Sequence, residues 1–325
     1  MSTGKIKAGI IGAAGYTGGE LTRILLNHPG VELVFLRSTS HAGQPVSKVH
    51  GDLEGETDLV FSKDVNWDID VLFLCSGHGK SLEFMNANRV PEGMKIIDLS
   101  ADYRPLENGE GFVYGLPELY GNTIKKATRI ANPGCFATCI QLGLLPLAAK
   151  GKLGNEVHVQ AITGSTGAGA GLSQTSHFSW RNNNISVYKA FNHQHLDEIS
   201  QNLESAAGNK GVQINFVPLR GDFTRGIFAS MYTEYDGTLE EAQQLYGNFF
   251  ETSEFTHLVT DNPSLKQVIN TNKCLVYLEK HGSKLLIISL LDNLLKGASG
   301  QAVQNMNLMF GLGERSGLSL KGTAF

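Results

Sequence analysis

Cys135 stands directly behind Asn132-Pro133-Gly134 and in front of the apolar run "FATCIQLGLLPLAA", with a second cysteine, Cys139, four positions on. A turn-forming tripeptide followed by an apolar helical stretch puts Cys135 on the first turn of a helix. There the dipole and the unpaired amides stabilise a thiolate, which is the placement of a nucleophile. A metal pair with Cys139 would want further ligands, and none stands close in sequence. A disulfide at this spacing fits a continuous helix poorly, and Cys139, beside Ile140, reads as a small buried apolar side chain. A nucleophilic thiol needs an acid/base partner. "FNHQHLDEI" supplies His193 and His195 as an H-x-H among polar and aromatic residues, although spacing alone leaves open which of them faces Cys135.

A second chemistry is written near the amino terminus. Gly12, Gly15 and Gly18 form a G-x-x-G-x-x-G directly after an apolar strand-like run. Glycines there let the backbone approach a pyrophosphate at the opening of a helix. A lone glycine motif is weak, but strand, motif, helix and second strand follow in order within about 30 residues. An NAD site usually carries an acid at the end of the second strand. Here the text is "LRSTS", where Arg37, Ser38 and Ser40 suit a 2'-phosphate and favour NADP; a solvated loop would explain Ser40 better than Arg37. "DLSADYR" brings Ser100, Asp102 and Arg104 to the end of a later strand, and an arginine fork suits phosphate or carboxylate. "TGSTGAGAG", with Gly164 and Gly167, is a second glycine-rich loop that could admit the nicotinamide end or the substrate. Taken singly, a surface ion pair for Arg104 and a flexible loop for these glycines are respectable rivals.

These residues need elements to hold them. Up to about residue 130 the chain alternates strand-like runs ("KAGIIG", "VELVFLRS", "DVLFLCSG", "KIIDLS") with helical stretches such as "ELTRILLNH", the pattern of a doubly wound α/β half with a parallel sheet. Beyond a buried helix from Cys135, longer strands ("HVQAITG", "IFASMYTEY", "LIISLLD") follow without regular intervening helices. They predict a mixed or antiparallel sheet in a second domain, one suited to a subunit interface. The last helical stretch, "SGQAVQNMNLMFGL", is expected to return to the first domain.

The 325 residues are long enough for two cores. A net charge of -4, from 27 basic and 31 acidic residues, gives no reason to expect nucleic acid or membrane, so a small-molecule substrate is expected. The opening apolar patch fills with Gly, Thr and Glu20 and reads as a buried strand rather than a signal peptide. Four scattered cysteines predict reduced thiols, a cytoplasmic location and no metal site.

Seven stretches in order, "GAAGYTGGEL", "DLSADYR", "VYGLPEL", "NPGCFAT", "GSTGAGAG", "HQHLDEI" and "DNLLKGASGQAVQNMNLMFG", together resemble the N-acetyl-gamma-glutamyl-phosphate reductase family over nearly the whole chain. The resemblance implies a fold like that of aspartate-semialdehyde dehydrogenase. A Rossmann-type NADP-binding domain would take residues 1–134 plus 298–325, and an α+β catalytic and dimerisation domain residues 135–297. It implies NADPH-dependent reduction of an N-acyl-L-glutamyl 5-phosphate, N-acetyl by the family's name, to the 5-semialdehyde with release of phosphate, in arginine biosynthesis.

By the same resemblance Cys135 would be the acylated nucleophile and His193 or His195 the acid/base. Gly12, Gly15, Tyr16, Thr17 and Gly18 would line the pyrophosphate. Gly164, Gly167, Asn293 and the Lys296-Gly297 turn would lie by the cofactor. Arg104, beside Ser100, would meet the substrate phosphate, with Arg225 of "FTRGIF" the alternative cation. The assembly would be a homodimer or homotetramer. Residues 170–191 and Gln194 of the H-x-H depart from the family text where the acyl group should sit, so the acyl group stays open. The rivals are an aspartyl- or aminoadipyl-phosphate reductase and an NADP-binding sensor without turnover.

Overall fold

The computed structural model describes residues 4–105, 109, 111–208 and 211–323. The chain divides into two compact units, Met1–Gly134 with Ala298–Leu320, and Cys135–Gly297 with Lys321–Phe325.

The first unit is built on β1 (Ile6–Ile11), α1 (Tyr16–Leu26), β2 (Val31–Arg37), β3 (Val71–Leu74), α2 (Lys80–Ala87), β4 (Lys95–Asp98), β5 (Val113–Tyr114), α3 (Pro117–Ile124) and β6 (Arg129–Ala131). Its six strands form a wholly parallel sheet in the order β2-β1-β3-β4-β6-β5. β3, "VLFL", is buried at every residue, as a parallel strand covered on both faces requires. α1 turns Leu21, Ile24 and Leu25 into the core, each 3 % exposed or less. The strand order reverses between β1 and β3, so the carboxyl ends of β1, β2 and β3 diverge around a crevice, where ligands of such sheets bind. Asp102 of "DLSADYR" closes the start of α2 from outside, accepting the amides of Gly79 at 2.6 Å and Leu82 at 2.9 Å.

The second unit opens with α4 (Cys135–Ala149) and continues through β7 (Glu156–Thr163), α5 (Phe178–Arg181), β8 (Ser186–Val187), α6 (His195–Ala206), β9 (Gln213–Arg220), β10 (Ile227–Glu234), α7 (Leu239–Phe250), β11 (Thr256–Leu258), β12 (Cys274–His281) and β13 (Lys284–Leu291). The sheet is mixed, in the order β11-β12-β13-β10-β7-β9-β8, with parallel pairs at β11–β12 and β7–β9. α4 is buried on every side from Phe136 to Ala148, which explains its unbroken apolar text and the tolerance of Pro146 inside it. It lies close on β10, since a Cβ on Gly143 would come within 2.3 Å of Met231. α4 and α7 cover one face of this sheet. Strand alternation leaves His158, Gln160, Phe228, Ser230, Tyr232 and Leu286 half-buried or exposed on the other. A π-helical turn, Leu295–Ser299, then leads into α8 (Gly300–Met309), which packs with α1 and α3 in the first unit.

Candidate active site

The site residues fall into two separate groups, one within each unit. In the first, β1 runs into Gly12, whose φ is +78° and whose Cβ, if present, would lie 2.7 Å from the Cys75 carbonyl, so only glycine fits. Gly15 caps α1, and a Cβ on Gly18 would come within 2.6 Å of the Gly12 carbonyl oxygen, so α1 can sit directly on the loop. Tyr16, 44 % exposed, and Thr17 form the first turn, with the Thr17 carbonyl accepting the Ser299 hydroxyl at 2.8 Å. Beside them lies a cavity of about 610 Å³ lined by Gly12, Gly15, Arg37, Ser38, Ser40 and Lys80 among others. Arg37 Nε donates to the Lys63 carbonyl at 2.8 Å, and the Ser40 hydroxyl meets His41 Nδ1 at 2.8 Å. A glycine loop before a helix, an arginine and two serines after β2, and no acid there form a donor set that fits a dinucleotide bearing a 2'-phosphate. Cys75 also lines this cavity. Burial and the nearby Asp98 push its thiol up to about 12, so it is a neutral wall residue.

The turn before Cys135 is braced within the first unit. Arg104 is 6 % exposed, and its Nε and Nη2 donate to the carbonyls of Asn132 at 2.9 Å and Leu99 at 3.0 Å. The Asn132 side chain donates to the Ala298 carbonyl at 3.1 Å and accepts from Asn305 at 3.0 Å. Ser100 is 1 % exposed and gives its hydroxyl to Asp98 at 2.6 Å. Arg104 and Ser100, expected at the substrate phosphate, thus spend these groups on protein, shaping the strand ends around the Asn-Pro-Gly turn.

In the second unit Cys135 is the first residue of α4 and is half-buried. Gly297 abuts it: a Cβ there would lie 2.8 Å from Cys135 Cβ, so this position must lack a side chain. Cys139, one turn on, is fully buried, donates to the Ser289 carbonyl at 3.2 Å, and burial pushes its thiol well above the ordinary range. The next residue, Phe136, carries the histidines. Its ring centre lies 5.5 Å from that of His193 and 6.3 Å from that of His195, and the two imidazoles are 4.7 Å apart. His195 opens α6, and its amide donates to His193 Nδ1 at 3.2 Å. Burial, with the charges of Lys189 and Arg220, pushes His193 down to about 4, so it stands neutral near pH 7. Tyr188, 5.8 Å from His193 between ring centres, is pushed up to about 12 by burial and by Cys135 nearby.

The second glycine loop forms a short 3-10 turn, Ser165–Ala168. A Cβ on Gly164 would strike the Thr224 carbonyl at 2.5 Å, and one on Gly167 would lie 3.2 Å from the Thr163 hydroxyl. Asn293, 2 % exposed, ties the loop down, accepting the Gly226 amide at 2.7 Å and donating to Thr166 at 3.0 Å. Arg225 pairs with the fully buried Asp292 at 3.1 Å, and Asp292 also accepts the amides of Asn270 and Leu294, both at 2.8 Å. Tyr188, Arg220 and Asp292 escape a sequence reading. Only Asp292, an acid inside an apolar run, carried a signal.

Family models match both units in order: the semialdehyde dehydrogenase NAD binding domain over residues 7–127 and the semialdehyde dehydrogenase dimerisation domain over residues 135–293. The N-acetyl-gamma-glutamyl-phosphate reductase of Azobacteroides pseudotrichonymphae is 58% identical over 322 residues, covering 98% of this chain and 100% of that one. That of Bacteroides thetaiotaomicron is also 58% identical, over 321 residues with the same coverage. Among solved structures, aspartate semialdehyde dehydrogenase II of Vibrio cholerae superposes with a TM-score of 0.75 at 16% identity, covering 95% of this chain and 99% of that one, a likeness of fold. Identity this high, held from end to end in relatives of equal length, makes the chain a member of the N-acetyl-gamma-glutamyl-phosphate reductase family.

Proposed function

We propose that the chain reduces an N-acyl-L-glutamyl 5-phosphate, N-acetyl in its relatives' names, to the corresponding 5-semialdehyde with release of phosphate, in arginine biosynthesis. The observation that carries this reading is Cys135 at the mouth of α4, its neighbour Phe136 packed on the two histidines, in a chain 58% identical to named reductases. The Cys135 thiolate attacks the acyl carbonyl, the bond to phosphate breaks, and a thioester remains. When bound, NADPH supplies the hydride that reduces this thioester. The resulting thiohemiacetal collapses to aldehyde and thiolate, with a histidine moving the proton.

That histidine is His195. His193 is neutral and its Nδ1 is committed to the His195 amide, so it braces the start of α6. For the phosphate we assign Arg225 ahead of Arg104, since the Arg225 side chain is 19% exposed while Arg104 is buried on main-chain carbonyls. Gly12, Gly15, Tyr16, Thr17 and Gly18 take the pyrophosphate, and Arg37 and Ser38 the 2'-phosphate. Gly164 and Gly167 shape the loop that Asn293 anchors, which takes the nicotinamide end of the cofactor.

The open face of the second sheet forms a homodimer contact, a reading supported by the dimerisation-domain match. The four cysteines are free thiols, which supports a cytoplasmic location. The test is NADP reduction by N-acetylglutamate 5-semialdehyde plus phosphate, against aspartate and aminoadipate semialdehydes. Preference for either of the latter assigns the rival substrate, and NADP binding without any turnover assigns a sensor.

A further inference from the structure

Arg220 is the last residue of β9, where it pairs in register with Thr163 of β7 and with Ser186 of β8. Strand residues an even number apart share a face, so Arg220 points the same way as Phe216. That ring lies 5.2 Å from Phe136 and 5.4 Å from His193. The Arg220 guanidinium carbon is 4.6 Å from the centre of the Tyr188 ring, itself 5.8 Å from His193. A path of neighbouring side chains therefore leads from the residue after Cys135 to this cation.

Two polar atoms here are missing what burial normally demands. Arg220 Nε and the Thr163 hydroxyl, on register partners, are both buried, and neither has a hydrogen-bond partner among the described residues. An unsatisfied buried donor is costly, and one in a folded protein calls for an explanation such as a ligand that supplies the acceptor. None of the ion pairs among the described residues includes Arg220. Asp222, two residues on, instead accepts the Asn183 amide at 2.6 Å. Arg181 shows the contrast, because its guanidinium donates to the carbonyls of Thr175, Asn184 and Arg220 and to the Ser186 hydroxyl. The segment around Arg220 also holds Asn183, Lys189 and Phe191 at φ values of 52°, 46° and 58°, conformations that persist only where the surroundings enforce them.

We propose that Arg220, with the Thr163 hydroxyl beside it, binds a carboxylate of the N-acylglutamyl substrate. The inference rests on the substrate reading above. A guanidinium fork suits a carboxylate. The leaving phosphate is bonded to the carbonyl that Cys135 attacks, so its cation must lie beside the thiol. Arg220 stands behind Tyr188, which itself lies near Cys135, so a group several bonds from the reacting carbon would sit there. Two carboxylates qualify: the α-carboxylate of the glutamyl chain, or one at the end of the acyl group.

The NADP-reducing direction tests this, because semialdehyde and phosphate are then separate substrates. Arg220→Gln should raise the KM for the semialdehyde about 10- to 100-fold, and the KM for phosphate by less than about threefold. Arg220→Lys, which keeps the charge without the fork, should fall between wild type and Arg220→Gln. If the α-carboxylate is bound, the α-carboxamide of N-acetylglutamate semialdehyde loses its sensitivity to Arg220. If an acyl carboxylate is bound, a semialdehyde whose acyl group ends in a carboxylate outcompetes the N-acetyl compound on wild type and loses that advantage in Arg220→Gln. Calorimetric titration of the matching inert N-acylglutamates into wild type and variant reads binding without turnover. Should Arg220→Gln fail to fold, Thr163→Val removes only the hydroxyl and should raise the same KM several-fold. Unchanged semialdehyde KM values in folded variants, or a rise in the phosphate KM instead, overturn the proposal. A wild type inactive on every N-acylglutamate semialdehyde overturns the substrate reading, while the titration still decides whether Arg220 binds carboxylates.

Discussion

The division of labour between Cys135 and Cys139 follows from where each sits on one helix. Cys135 opens α4 and is half-buried, whereas Cys139 is sealed inside with its thiol pushed well up by burial. Cys135→Ala should therefore abolish turnover and leave NADP binding intact, while Cys139→Ala keeps most activity. Iodoacetamide labelling followed by peptide mapping should find Cys135 modified first, and preferential labelling of Cys139 would reverse the assignment. The two histidines are equally buried, and what distinguishes them is that His193 stands neutral with its Nδ1 taken by the His195 amide. His195→Asn should lower kcat/KM by about 100- to 10,000-fold, the usual cost of losing a general acid/base, and His193→Asn by much less. Because His193 is already neutral above about pH 4, His193→Asn should leave the shape of the pH–rate profile between about pH 5 and 8 unchanged. Equal, mild losses in both variants would mean that neither moves the proton.

At the scale of elements, the site depends on backbones brought closer than side chains allow. The turn Leu295–Ser299 passes Cys135 at Gly297, and Gly297→Ala would place a methyl 2.8 Å from Cys135 Cβ. Overpacking of this kind costs about 1–3 kcal/mol, and a displaced nucleophile loses far more in rate than in stability. The expected result is a kcat lowered about 10- to 100-fold with a small shift in unfolding midpoint. A variant with normal kcat would show that the thiol tolerates movement. The end of β2 governs the cofactor. With Arg37 and Ser38 in the cavity wall and no acid at the end of β2, NADP should bind well ahead of NAD, and Arg37→Ala should narrow that ratio about tenfold or more by fluorescence titration. If the ratio holds in Arg37→Ala, the serines and His41 carry the 2'-phosphate.

For the whole molecule, the second sheet has one face under helices and one carrying stacked His158 and Tyr232 rings, 4.7 Å apart, among half-buried apolar residues. Sedimentation should give a dimer or a multiple of it. Tyr232→Asp, which puts a charge at the centre of that face, should weaken self-association about tenfold or more, as loss of an interface aromatic does. A monomeric wild type would remove the face from consideration.

Much of this was legible beforehand because it rests on local rules. Gly12 and Gly18 announce a strand-to-helix turn that admits no Cβ, the alternation of apolar runs announces a parallel sheet, and Asn132-Pro133-Gly134 announces the helix that opens at Cys135. That His193 stands neutral near pH 7 was decided by burial, with Phe136 and Phe216 closing over it from α4 and β9. Arg104 donates to carbonyls at the ends of β4 and β6, contacts that no motif in the sequence announces. Arg220, in "PLRGDF", offers no periodicity or motif at all. Its unpartnered nitrogen exists only because β9 pairs with β7 and brings it level with Thr163, 57 residues earlier in the chain. Local spacing therefore determined the fold and the cofactor class, and put Cys135 at the head of α4. Strand pairing and burial, which depend on residues far apart in sequence, decided that His193 stands neutral and that Arg220 Nε lacks a hydrogen-bond partner among the described residues.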